Sequence, residues 1–532
     1  MTGERGEARS DEAPMMSGRD FKVLLIYPGL FMQTALPLGL AALAGSLRAK
    51  RCQVRVFDTV LYAEPGEHDE NEERTQKHHS TRQVDYAGAG VVPKRESFYD
   101  DLSALLRSYQ PDLIGLSVVE STFVKAANIA RHVKRICETP IIMGGVFPTL
   151  APDVVMGEPA VDMVCVGEGE ETIVELCDAL GERKTLKAVP GVWFKENGAI
   201  VRNGSSPLRP LEELPPHDFS VFAPWMFLKP MQGNLFKTIP IEMSRGCPYD
   251  CAYCAEPALR DIHRQRAGGY FRKKPIPLVL RDIAGVVAEH QPQFIYFTSE
   301  TFLAMTDDEF AEFVEGYRTI GIPFWIQTRP ETVTEKKVRA LQSVGMYWLT
   351  VGIECGNEAY RRTYLHRKAT NAAIVRMVEI LEICGQGASL NSIIGLPFED
   401  RDLILETIGL NQRLYRINRG VRINISMFAP FRGCELHELC VRHNLMADVP
   451  YLAQTNVSGV SPLSFEKLTA GQLAGLYRTF TLYVYLPDED LDDIQRAEAL
   501  TPEGDAIYAR LNDKVNDVLS AAEAASERDT MI

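Results

Sequence analysis

Three cysteines are the residues whose types and spacing point most directly to chemistry. In SRGCPYDCAYC, Cys247, Cys251 and Cys254 are separated by three and then two residues. The thiolate is the metal-binding form of cysteine. Cysteine zinc sites usually pair one C-x-x-C with another downstream, and no second pair follows here. Three sulfurs on one tight loop suit three irons of a [4Fe–4S] cube, with the fourth iron left for another ligand. The other eight cysteines, among them Cys52, Cys165 and Cys355, are scattered and mostly have apolar neighbours. They read as small buried hydrophobes.

Such a loop needs a rigid frame, and strand-like and helix-like segments alternate on both sides of it. Over 21–190, FKVLLIYP, CQVRVFD, DLIGLSVV, PIIMGG and VDMVCVG read as strands. PLGLAALAGSLRAK, FYDDLSALLRSYQ, TFVKAANIARHVKRIC and EETIVELCDAL read as the helices between them. Alternation of this kind implies a doubly wound α/β domain with a parallel sheet. Residues 62–97 interrupt it with a polar stretch holding His68, His78 and His79. No cysteine or spaced carboxylate completes a ligand set, so a solvated loop is expected. A linker over 191–237 is expected to open with a hairpin and continue through a Pro-rich segment. From 238 to 440 six further strands follow, IPIEMS, QFIYFTS, PFWIQTR, MYWLTVGIE, ASLNSIIG and RINISMFAP. Six units suit a partial (β/α)6 barrel, whose active site lies at the C-terminal ends of the strands. Residues 441–532 are expected to form a mainly helical C-terminal lobe, and the polar 1–20 a disordered leader.

In this setting C-x-x-x-C-x-aromatic-C, with Tyr253 as the aromatic residue, resembles the signature of the radical S-adenosylmethionine superfamily. The resemblance runs over about residues 238–435 and implies a cluster that cleaves S-adenosylmethionine to a 5′-deoxyadenosyl radical. It places cofactor-binding groups at successive strand ends. Glu300 in FTSETF would meet the methionine amino group, although the common Gly-Gly-Glu form is absent. Arg329 in QTRPE would fork the carboxylate, and Glu354 in VGIECGN would hold the ribose hydroxyls. The turn from Ser392 to Gly395 in SIIGLP would meet adenine through its backbone.

The first domain resembles the cobalamin-binding domain of one large subfamily, the cobalamin-dependent radical S-adenosylmethionine enzymes of class B methyltransferase type. Ser117 and Ser121 fall where that family lines the slot for the dimethylbenzimidazole tail. Gly144, Gly145, Gly167 and Gly169 stand at strand ends where a nucleotide tail approaches the backbone. The ligand histidine of D-x-H-x-x-G is missing, because laying Gly39 on the motif's glycine puts Thr34 and Leu36 at the Asp and His positions. No G-x-G-x-x-G opens the first βα unit, which disfavours a dinucleotide.

The resemblance implies methyl transfer from S-adenosylmethionine, through methylcobalamin, to an unactivated carbon of a small molecule. In this family such chemistry often serves antibiotic or other specialised metabolism, with electrons from a flavodoxin- or ferredoxin-type donor. Relatives that use the same cofactors for cyclisation or rearrangement form an alternative. A tRNA-modifying enzyme is another, opposed by the absence of a basic C-terminal RNA-binding domain. The formal net charge of −14 argues against partners such as nucleic acid or an anionic membrane. No apolar run approaches the roughly 18 residues of a membrane span, so a cytoplasmic enzyme is expected. Trp225, Phe227, Tyr253 and Phe302 could line a pocket, though aromatic residues near strand ends more often belong to the core.

Overall fold

The computed structural model describes residues 21–33, 35–64, 69, 75, 79, 82–231, 233–264, 269–453 and 459–530. The leader over 1–20 and the positions Thr34, His68 and His78 lie outside these residues.

The first sheet is built from β1 (Lys22–Tyr27), β2 (Gln53–Asp58), β3 (Leu113–Ser117), β4 (Ile141–Gly144), β5 (Met163–Cys165), β6 (Val192–Glu196) and β7 (Ala199–Arg202). Its order is β2-β1-β3-β4-β5-β6-β7, with β1 to β5 parallel and β6–β7 an antiparallel extension. The hairpin expected at the start of the linker therefore continues this sheet. β1 is a run of apolar residues because both its faces are covered, and Val23 to Ile26 are fully buried. The linker then crosses the helix Leu38–Ala49 at its small residues, where Asp218 N–H donates to the Ala41 carbonyl at 2.9 Å.

The second sheet takes in β8 (Leu228–Met231) and β9 (Asn234–Glu242), which pair antiparallel. A short ribbon, β10 (Ser244–Arg245) with β11 (Arg272–Lys273), flanks the cysteine loop. The parallel strands continue with β12 (Phe294–Thr298), β13 (Phe324–Thr328), β14 (Met346–Glu354), β15 (Ala388–Ile394) and β16 (Arg422–Met427). The sheet order is β16-β15-β14-β13-β12-β9-β8, curled into a half-barrel. Polar residues at the strand-to-helix turns cap the helices that follow. Thr306, Thr334, Asn357 and Asp400 each accept a backbone N–H from the first turn.

The C-terminal part is helical, with Ala470–Tyr485, Leu491–Ala497 and Pro502–Thr530 as its helices. It is also where the 62–97 stretch departs from the sequence reading. His79 is buried rather than solvated, with Nδ1 3.1 Å from Thr481 Oγ1. Long-range packing against a helix 400 residues away overrides a polar local sequence. Burial pushes its pKa down to about 4, so the imidazole is neutral near pH 7.

Candidate functional site

The cysteine loop leaves the ribbon at Gly246, ends at Cys254, and leads into the helix Glu256–Ile262. Burial pushes the Cys247 thiol up and the Cys254 thiol up to about 12. Backbone N–H groups of Tyr249 and Glu256 oppose that burial by donating to the two sulfurs. Arg329 Nη1 lies 3.4 Å from Cys251 Sγ and donates to it. Donors aimed at sulfurs suit thiolate ligands, and bound iron would supply the charge that burial withholds. Among the described residues no three metal-ligating side chains converge on a single ion. Ligands to three corners of a cube need not meet at one point.

The strand-end residues sit around this loop. Glu300, just after β12, opens into a cavity but is crowded by protein, and burial raises its carboxyl above the usual range. Arg329, after β13, stacks over Tyr249 at 3.7 Å and pairs with Glu331 at 2.7 Å. Both contacts hold its guanidinium against the cluster loop. Glu354 closes β14 with φ of 68°, a left-handed conformation that costs on the order of 1 kcal/mol for a non-glycine residue. The Tyr253 hydroxyl donates to Glu354 Oε1 at 2.9 Å, and Arg367 approaches the same oxygen at 3.6 Å. The carboxylate folds over Gly352, where an added Cβ would lie 2.1 Å from Oε1. The Ser392 side chain turns to the helix layer and accepts from Asn411 Nδ2 at 2.9 Å. That hydroxyl is thereby engaged inside the protein. Gly395 has φ of 77°, and its N–H donates to Glu399 at 2.6 Å.

In the first domain a cavity of about 630 Å³ opens at the C-terminal ends of the parallel strands. Gly144, Gly145, Gly167, Gly169 and Ser117 line it over an apolar floor that includes Leu25, Leu40 and Ile142. Gly145 has φ of 111°, and a Cβ there would come within 2.7 Å of the Val118 carbonyl oxygen. A slot walled by backbone and floored by aliphatic groups fits a flat aromatic base better than a charged one. Ser121 does not line it, because the turn Glu120–Thr122 carries the chain toward the second domain. There Glu120 accepts the Arg432 and Leu452 N–H groups. Leu36 is half-buried and packs against the core.

The same cavity continues to His217, Glu242, Arg245, Tyr270 and Glu300. A second cavity of about 360 Å³ shares Glu168, Glu242, Arg245 and Glu300 with it and reaches Thr298 and Gln327. Where the two domains meet, Arg245 pairs with Glu170 at 2.5 Å, Glu242 at 2.8 Å and Glu168 at 3.2 Å, while Arg272 pairs with Glu168. Burial pushes the His217 pKa down to about 4, so its 3.6 Å contact with Glu242 is not an ion pair near pH 7. Sequence reasoning missed His217, Glu242, Arg245 and Tyr270. Arg245 and Glu242 flank the motif and were within reach, whereas His217 lies in a Pro-rich segment with no local signal. The aromatic residues divide differently. Phe302 is core, packed on Phe297 and Phe313, Phe227 stacks on His290, and Tyr253 alone joins the site.

Comparison with known proteins bears on the two domains. The model of the B12 binding domain matches residues 31–177, and that of the radical SAM superfamily matches 241–410. The chain belongs to the cobalamin-dependent radical S-adenosylmethionine enzymes. Its cofactors are cobalamin, a [4Fe–4S] cluster and S-adenosylmethionine. An uncharacterized methyltransferase of Pyrococcus horikoshii is 27% identical over 73% of this chain and 82% of its own length. The anaerobic magnesium-protoporphyrin IX monomethyl ester cyclase of Cereibacter sphaeroides is 24% identical over 58% of this chain and half of its own. The fold matches the radical S-adenosylmethionine methyltransferase TsrM of Kitasatospora setae, solved with cobalamin and [4Fe–4S] bound. The TM-score is 0.60, with 14% identity, over 95% of this chain and all of that one. Among the described residues no helix is long and apolar enough to cross a membrane.

Proposed function

We propose that the chain moves a methyl group from S-adenosylmethionine, by way of cobalamin, to a carbon of a small specialised metabolite. The observation that carries this reading is the cavity shared by both domains, which runs from the glycine-lined slot to Glu300. Cys247, Cys251 and Cys254 would hold the cluster, and Glu300, Arg329, Glu354 and the Gly395 turn would hold S-adenosylmethionine. Ser117 and the four strand-end glycines seat the cobalamin tail. When bound, the cluster supplies an electron to S-adenosylmethionine and cobalamin supplies a cobalt that accepts and releases a methyl group. Arg329 offsets charge beside the cluster and Arg367 holds Glu354 in place. The apolar floor keeps water from the slot. A flavodoxin- or ferredoxin-type protein delivers the electrons.

The test is anaerobic turnover of the reconstituted enzyme with methyl-deuterated S-adenosylmethionine, followed by mass spectrometry. Methyl transfer leaves S-adenosylhomocysteine beside 5′-deoxyadenosine, since one donor loses its methyl and another is cleaved. Formation of 5′-deoxyadenosine without S-adenosylhomocysteine overturns the reading. That outcome favours cyclisation or rearrangement, the reading supported by similarity to the cyclase.

A further inference from the structure

The second sheet has two unlike faces. Toward the helices, Ile295, Phe297, Ile326, Leu349, Val351 and Leu390 are each at most 1% exposed. Toward the hollow of the half-barrel, alternate positions of β12 to β16 stay half-exposed. In a closed (β/α)8 barrel that interior is filled by packed branched aliphatic side chains. Here two layers of different chemistry line it.

The deeper layer is aromatic. Tyr296, Trp325 and Trp348 stand on adjacent strands, with ring centres 6.4 and 6.1 Å apart. Both indole N–H groups are used within the wall. Trp325 Nε1 donates to Thr350 Oγ1 at 2.7 Å, and Trp348 Nε1 donates to Ser389 Oγ at 2.9 Å. Each bond runs to the next strand and ties its ring along the wall. Beneath them Phe236, Phe294 and Tyr347 pack at 5.5 Å between successive ring centres and close the end.

On β12 to β16 the upper layer is polar and uncharged, made of Thr298, Gln327, Asn391 and Asn424, with Asn424 Nδ2 donating to Asn391 Oδ1 at 2.9 Å. Glu242 of β9 stands at its edge, in register with Thr298. Thr298 and Gln327 also line the smaller cavity that reaches Glu300, so the hollow opens toward the cofactor residues.

We propose that this wall is the substrate cradle and that it takes a flat ring system carrying uncharged hydrogen-bonding groups, as nitrogen heterocycles do. Aromatic walls favour flat π partners in offset or edge-to-face contact. Charge stands at the margins, with Lys229 Nζ 3.7 Å from the Tyr296 ring centre and the Glu242–Arg245 pair beside Thr298. On β13 to β16 the wall offers amides and hydroxyls, which donate and accept without a counter-charge. The proposal rests on the functional reading above only in requiring the reacting carbon to lie beside the cofactor residues.

The test uses holoenzyme loaded with cluster and cobalamin, in the presence of S-adenosylmethionine, in anaerobic equilibrium dialysis against indole or cyclohexanol. Indole is retained at about one per chain and cyclohexanol is not. Trp325→Leu and Trp348→Leu, with wild-type iron and cobalamin content, each weaken indole binding by about tenfold, the upper end for one aromatic contact. Trp325→Phe keeps it. Equal retention of both probes, no retention of indole, or leucine variants that bind like wild type overturns the proposal. A second measurement needs no variant. The chain has four tryptophans, and in 5-fluorotryptophan-labelled holoenzyme indole shifts the fluorine resonances of Trp325 and Trp348. Shifts confined to Trp193 and Trp225 overturn the proposal. Lost selectivity with both nucleoside products still formed sinks this inference alone, whereas missing products sink the functional reading instead.

Discussion

The two sheets share a plan, parallel strands with an antiparallel addition at one edge, yet their strand ends do opposite work. In the first, β3 and β4 end in Ser117 and in Gly144-Gly145, and missing side chains leave a cavity there. In the second, Glu300 and Arg329 follow β12 and β13 and Glu354 closes β14, so what those ends present is charge. On the proposed function, the first end would select by shape and the second would orient a zwitterion by ion pairing. One architecture would then seat a bulky cofactor by subtraction and a charged one by addition, and the two ends join where Arg245 meets Glu168 and Glu170.

The largest effect expected from this contrast is an all-or-none separation. Replacing Cys247, Cys251 and Cys254 together by Ala abolishes iron–sulfur absorbance and 5′-deoxyadenosine formation while cobalamin still binds at the wild-type level. Cobalamin lost along with the iron would show that the two ends do not act separately. Next come the charged strand ends. Glu300→Ala, Arg329→Ala and Glu354→Ala each weaken S-adenosylmethionine binding by roughly 1.5–3 kcal/mol, measured by titration of the cluster-loaded protein. Unchanged affinity in all three would reassign these roles. Filling the slot is the complementary change. A Cβ at Gly144 meets only Cys165 Cβ, at 3.4 Å, so Gly144→Leu is tolerated by the backbone but occupies the cavity. Overpacking of about 1–3 kcal/mol corresponds to a loss of cobalamin affinity between about five- and a hundredfold, with iron content unchanged.

The smallest effect concerns the joints between the halves. His79 and His217 have pKa values lowered by burial from 6.5 to about 4. Between those values the unfolded chain binds more protons, so stability is complete above about pH 6.5 and falls as the pH drops toward 4. The loss by pH 5 is on the order of 1–2 kcal/mol for each, read as a shift in urea midpoint. His79→Gln and His217→Gln each flatten the profile. A profile that stays as steep in both variants places the protonation elsewhere.

Much of this was legible in the sequence because it is local. The cysteine spacing and the apolar runs of β1 and β14 each declare themselves within a few positions. The aromatic wall was harder. PFWIQTR and MYWLTVGIE place Trp325 and Trp348 at alternating positions, but both faces of these strands carry large side chains, so the hollow face cannot be told from the helix face. The Arg245–Glu168 contact and the burial of His79 join residues 77 and 402 positions apart, and no window on the chain contains both partners. The hairpin β6–β7 was expected as such, but its docking on β5 depends on an open sheet edge that only the assembled fold defines.

The contacts of Arg245 carry a further consequence. This residue stands two positions before Cys247 and grips Glu168 and Glu170, which flank a glycine of the slot. The spacing between the cysteine loop and the glycine slot is therefore held by these ion pairs as well as by the tether that joins the domains. The segment between Arg202 and Asn234 is itself anchored, since Leu211, Phe219, Phe222, Met226 and Phe227 are buried and β8 pairs with β9. Insertions there should be tolerated only at its exposed points, while Arg245→Lys would loosen the gap itself.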